Sequence, residues 1–247
     1  MQFSDTTNKS GVIQTIERWT GLGDAAISGD TTLLRKITSS VNDAFDTLLP
    51  LVLSFSDHLR WDDINHSDLP IGTFDIVSGQ GDYSIVADAN GLDILNITAV
   101  RLKSSSSSYL ADLEKITIDE VLGENAMNPN SSETGVPTKY LEFGNTIFLY
   151  PKPNFSLTSG GQIFFEREPS YFAYTDTTKE PGIPKPFHSL LALYASLDWI
   201  LIYKNDNTAL IISLKEKILK KENELKDMIS RRTRTVSRMV PRVESTR

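Results

Sequence analysis

The chain has 247 residues, 39% of them apolar and 23% charged, with no cysteine, three histidines and a net charge of −7. This is ample apolar content for one large domain or two small ones, and the lack of cysteine excludes disulfide frameworks, thiolate nucleophiles and thiolate metal sites. The opening MQFSDTTNKS has no basic segment followed by an apolar run, so no secretory signal is expected and the chain reads as made and used in the cytosol.

Gly11 to Trp19 reads as a short helix with Ile13, Ile16 and Trp19 on one side, closed by Gly21 and Gly23. Ser28 or Asp30 then caps a long helix, because a side-chain oxygen there accepts from the free amides of the first turn. Leu33, Leu34, Ile37, Val41, Phe45, Leu48, Leu49, Val52 and Phe55 recur at spacings of three and four, a buried helical stripe. Pro50 removes one helical hydrogen bond, which predicts a kink near Asp46 to Pro50 or two successive helices.

A turn-rich stretch from Arg60 leads to a strand at Thr73 to Val77, a loop at Gly79 to Asp82 and a second strand at Tyr83 to Val86. Leu92 to Lys103 is a further strand region. The run Ser104 to Ser108 is a hairpin loop or a contact loop, Ile116 to Leu122 a short helix, and Gly123 to Val136 a polar connection. GNTIFLYPKP and GGQIFFEREPSYF are rich in aromatic and β-branched residues and bounded by Gly and Pro, so the pair is expected to form an antiparallel hairpin. Pro169, Pro181, Pro184 and Pro186 exclude regular structure before a central helix, Phe187 to Lys204, whose apolar residues cover most of its circumference. His188 and Asp198 interrupt it, so it is expected to be soluble and not to span a membrane. A third long helix starts at Thr208, with a stripe of Ile211, Leu214, Ile218, Lys221, Leu225 and Met228 that packs back on the central one.

Charge is unevenly spread. Arg60 to Thr98 carries seven Asp against one Arg, whereas Arg231 to Arg247 carries six Arg against Glu244 and is expected to be disordered alone.

Catalytic chemistry is sparse. Asp62, Asp63, His66 and Asp68 are the best metal candidates, since Asp62 and His66 would share a helical face, but Pro70 and the turn formers argue for amide-capping loops instead. Glu166 and Glu168, two apart on a strand, would project from one face with Arg167 opposite. Paired carboxylates could support glycoside hydrolysis, and a polar sheet face gives the same pattern. No catalytic residue, metal or cofactor is expected.

DLPIGTFDIVSGQGDYSI, GNTIFLYPKPNF, IFFEREPSYF and PGIPKPFHSLLALYASLDW together resemble the head-to-tail adaptor proteins of tailed bacteriophages, the tail accessory factor family of short-tailed phages. The likeness spans roughly Leu33 to Arg234 and is most specific at Asp68 to Tyr83 and Pro181 to Trp199. It implies a structural virion protein, made in the host cytoplasm, that forms a twelve-fold ring beneath the portal protein. That ring joins a DNA-filled capsid to the neck, tail-tube or nozzle proteins, passes viral duplex DNA without reading its sequence, and touches no membrane.

The fold expected is α+β: a long-helix bundle (1–60 and 184–230), an inserted antiparallel β-rich region (61–183) and an extended basic C-terminal arm (231–247). Portal docking would fall to Arg231, Arg232, Arg234, Arg238, Met239, Arg242 and Arg247; Asp62, Asp63 and Asp68 are acidic channel residues or turn formers. Two other classes stand beside the adaptor: a nucleic-acid binder acting through the arginine-rich tail, and a carbohydrate-active hydrolase using Glu166 and Glu168.

Overall fold

The computed structural model describes residues 1–54, 62–103, 110–122 and 133–233. In chain order the elements begin with α1 (Val12–Thr20), α2 (Thr31–Ser54), β1 (Ile71–Ile76), β2 (Asp82–Ser84), β3 (Ile94–Lys103), β4 (Leu110–Asp112), β5 (Glu114–Ile116) and α3 (Ile118–Leu122). They continue with β6 (Thr134–Gly135), β7 (Lys139–Phe143), β8 (Thr146–Tyr150), β9 (Lys152–Pro153), β10 (Leu157–Arg167), α4 (His188–Tyr203) and α5 (Thr208–Thr233). The chain is α+β and divides into two units, Met1–Asn65 with Ser170–Arg247, and His66–Pro169. The segment Ser170–Ile183 therefore belongs with the helices.

In the helical unit, α1 ends where Gly21 adopts a left-handed φ of 68°, a conformation glycine reaches without a Cβ clash. Asp30 caps α2, its Oδ1 accepting from the amides of Thr32 (2.8 Å) and Leu33 (3.2 Å). Ser28 serves differently: its amide donates to the buried Glu17 carboxylate, as does that of Ile27. Pro50 lies inside one helix and does not divide it. Phe45, Leu48 and Val52, on both sides of the proline, are buried, and that apolar burial outweighs one lost backbone bond. Phe55, the last residue of the predicted stripe, lies outside the described residues.

Helix α4 is the centre of this unit. Leu190, Leu191, Ala192, Ala195 and Ile200 are wholly buried, and no helix among the described residues is long and apolar enough to cross a membrane. Leu214 and Ile218 of α5 pack with Leu193 and Ile200, while Leu225 and Ile229 join the cluster that holds Phe45 and Leu48. The stripe ends on Ile229, 1% exposed, and Met228 is only partly buried. Phe3 supplies a contact the sequence pattern did not mark. Its amide donates to Lys179 O (2.7 Å), and its ring stacks on Phe172 with centroids 4.5 Å apart, worth about 0.5–1.5 kcal/mol beyond area burial.

The β unit holds two four-stranded sheets, ordered β1-β10-β3-β4 and β2-β8-β7-β5. Ile76, Val100, Leu102, Ile163 and Phe165 of the first share one core with Tyr83, Tyr140, Ile147 and Leu149 of the second. The expected hairpin of GNTIFLYPKP with GGQIFFEREPSYF does not form, because β8 and β10 lie in different sheets. β8 pairs with β7 across a tight turn at Gly144 (φ 57°) and Asn145 and with β2 on its other side, and β10 lies between β1 and β3. Likewise β1 and β2, which flank the Gly79–Asp82 loop, enter different sheets. In both cases strand content was legible but pairing was not, since β-propensity identifies a pleated, half-buried segment without specifying its neighbour. Ser104 to Ser108 and most of Gly123 to Val136 lie outside the described residues.

Candidate functional site

A buried ionic centre of the β unit is built on the end of β10. Arg167 follows Ile163 and Phe165 at a period of two and so faces the buried side of β10; the register shift beside it, with Glu166 opposite Asn96 and Arg167 opposite Ile94, leaves its extra residue, Leu95, on β3. The guanidinium is 0% exposed. Its Nη1 donates to Asp88 Oδ2 (2.9 Å) and Asp68 Oδ2 (3.2 Å), and Nη2 donates to the Asp68 carbonyl (2.7 Å). Asp88 Oδ1 in turn accepts from the amides of Asn90 (2.8 Å) and Leu92 (2.9 Å). Burial pushes the Asp88 carboxyl up, but the Leu92 amide, Arg167 and the Asn90 amide together hold it below its ordinary value. A carboxylate fixed in its charged form by this many donors is a poor proton carrier; the centre ties two turns to a strand end.

Glu166 and Glu168 serve structural contacts as well. Glu166 is buried and accepts from Asn96 Nδ2 (3.1 Å). The strand ends at Arg167, so the alternation on which a same-face pair rested stops short of Glu168. The Glu168 amide donates to Asp93 O (3.1 Å), and its carbonyl lies 3.2 Å from His66 Nε2.

Residues 62–70 form turns and bends, so the helical face that would join Asp62 to His66 does not exist. Asp62 is half-buried. Asp63 is 2% exposed, its Oδ1 accepting from the backbone and side-chain amides of Asn65 (both 2.8 Å) and its Oδ2 from the Ser170 amide (3.1 Å). Gly182 packs so closely on this carboxylate that a Cβ there would fall 1.9 Å from Asp63 Cγ. Asp68 is held by Arg167. Among the described residues no group of three or more His, Asp or Glu is placed to hold a metal ion.

Arg231 and Arg232 are not part of an extended arm: α5 continues through Thr233, and Arg231 is exposed beside Glu224, Asp227 and Met228. Arg234, Arg238, Met239, Arg242 and Arg247 lie outside the described residues. Sequence reasoning missed Glu17, Asp88 and Arg167 as organising groups. The available signal was a lone cation between two glutamates in FEREP, downstream of an Asp-rich stretch with almost no cations of its own.

The clusters around Glu17, Asp63, and Asp88 with Arg167 are thus held by hydrogen bonds within the chain. No curated protein matches the chain. A family model described as SU10 adaptor protein matches residues 7–242, through both units and nearly the whole length, and the chain therefore belongs to this family of phage adaptor proteins.

Proposed function

We propose that this adaptor is the head-to-tail connector of its virion. Twelve copies form a ring beneath the portal protein, hold the next neck, tail-tube or nozzle protein on the other side, and enclose the channel through which duplex DNA leaves the capsid. The resemblance to the tail accessory factors of short-tailed phages supports this finer reading. The observation that carries it is the adaptor-family match running from residue 7 to residue 242. The residues from Arg231 to Arg247 serve as the portal-gripping element, because six arginines with Val236, Met239 and Val240 offer charge-assisted bonds and small apolar anchors to an acidic groove. No catalytic role is proposed for Glu166 or Glu168.

Negative-stain imaging of the purified chain mixed with portal particles tests the reading. Ring density seated on one face of the portal is expected. Portal particles that remain bare across micromolar concentrations of the chain would overturn it.

A further inference from the structure

We infer that the first sheet of the β unit is an edge-to-edge contact between copies of this chain, with β4 of one copy pairing antiparallel to β1 of the next. The inference deepens the ring reading above and rests on it.

The sheet runs β1-β10-β3-β4 with every neighbour antiparallel, so among the described residues β1 and β4 are its two edges, and they point in opposite directions. A copy added beside β4 through its own β1 continues the alternation, and the apolar face of one sheet meets the apolar face of the next. Because the two edges differ, the contact is heterologous, and a heterologous contact generates a ring when its rotation closes.

The backbone at both edges is set for this. The Phe165 amide donates to Pro70 O, which fixes residues 70, 72 and 74 as those whose backbone faces β10. Ile71 and Thr73 therefore turn N–H and C=O outward; the Ile71 amide is taken by Leu69 O (2.7 Å), and Thr73 is exposed. On the far side the Leu113 amide donates to Val100 O, so Leu102 and Ala111 form the next bonded pair, and Leu110 and Asp112 turn outward. Single-copy sheets usually blunt such edges with lysine, proline or a bulge. Here Pro70 stands at one end of β1, a register shift whose extra residues lie on β10 stands at the other, and the stretch between them, Ile71-Gly72-Thr73-Phe74, carries no charge.

Three residues of β4 cannot supply the roughly 800 Å² per partner of a stable interface. The paired edges set register and direction, and apolar surface elsewhere adds area. The helical unit leaves Leu201 (46%), Ile202 (61%), Tyr203 (54%), Ile212 (51%) and Leu219 (57%) exposed, apolar side chains that an assembling subunit has reason to carry.

The absence of cysteine makes the test clean. Within one copy β1 and β4 are three strand spacings apart, about 14 Å, beyond the roughly 7 Å a disulfide can span. Thr73→Cys is combined with Leu110→Cys in one variant and with Asp112→Cys in another, covering registers two residues apart. Each variant, and each single cysteine, is oxidised alone and with portal particles, run on non-reducing gels, and sized by light scattering. A ladder of covalent multimers from at least one double variant, with the single variants remaining monomeric on the gel, is expected. Dimers from Thr73→Cys alone would overturn the proposal in favour of a two-fold β1 contact. Multimers by light scattering without any covalent ladder would overturn it while leaving the ring reading intact. A chain that stays monomeric both alone and with portal would overturn both.

Discussion

Arg167 donates to Asp88 across 2.9 Å with its guanidinium fully buried and the carboxylate only 1% exposed. Removing one partner of such a pair leaves an uncompensated charge out of water, which costs about 3–5 kcal/mol. Arg167→Met should therefore destabilise the β unit by that order, and Arg167→Lys should recover little, since an ammonium cannot reach Asp88, the Asp68 carboxylate and the Asp68 carbonyl in one plane. Urea unfolding monitored in the β unit checks this. A loss under about 1 kcal/mol for Arg167→Met would show the charges to be solvated after all. The linked pH effect has a definite sign. Asp88 is held below 3.8, so its contribution is fully present above that value and is lost as pH falls through its lowered value. Asp88→Asn should be less stable at neutral pH and lose less on acidification.

His188, at the start of α4, is 1% exposed, with Nε2 2.8 Å from the Ile183 carbonyl. Burial holds its pKa below 6.5, although the bond to Ile183 opposes the shift. The folded state favours the neutral ring, so stability is complete above about 6.5 and declines as pH falls below it. Thermal unfolding between pH 8 and pH 5 should show this decline in the parent chain and a flatter curve in His188→Gln, whose absolute stability is lower. Parallel curves for the two proteins would assign the acid sensitivity elsewhere.

What the sequence made legible follows from the range of the forces involved. The helices were readable because their stripes are local: Ile37, Val41, Phe45 and Leu48 specify a face without reference to distant residues. Asp30 was readable as a cap for the same reason. Strand partners were not, since β10 meets β1 across some 90 residues of chain and nothing local in GGQIFFER selects Ile71–Ile76 over Thr146–Tyr150. The buried centre was hidden behind charge counting: in the stretch summed as uniformly acidic, Asp63 caps amides, Asp75 accepts from the Ser159 amide, and Asp68 and Asp88 neutralise an arginine from outside the stretch. Phe3 escaped because a single aromatic in a polar segment has no periodicity to betray it.

Truncation at Arg234 separates the tail from the fold. Among the described residues the last buried anchor of α5 is Ile229, so removing residues 234–247 is expected to leave the unfolding transition unchanged. Affinity for portal particles should fall at least about tenfold, the equivalent of 1.4 kcal/mol. Unchanged portal affinity would end the role assigned to the tail. Duplex binding by the isolated full-length chain at physiological salt should be weak. Micromolar or tighter binding that declines steeply with salt and disappears with the truncation would identify a nucleic-acid binder instead.

In a ring each local charge is repeated in every copy, so an acidic inner surface presents a concentrated negative field that keeps phosphate from sticking. Replacing Asp62, Asp63 and Asp68 together would be a confounded test, because Asp63 is buried against Gly182 and Asp68 is bound to Arg167, and their loss disturbs the fold. Asp82 and Asp93 are exposed, and the hydrogen bonds identified for them are made by their backbone carbonyls, to Gln80 Nε2 and to the Glu168 amide. Asp82→Asn with Asp93→Asn therefore removes two charges per copy while keeping those bonds. If this stretch lines the channel, particles carrying the double variant should assemble normally and eject DNA more slowly, with the deficit shrinking as ionic strength rises past about 0.1 M, where the screening length is about 10 Å. Ejection at the parental rate in low salt would place these aspartates away from the DNA path and leave the stretch as turn formers and solvated surface.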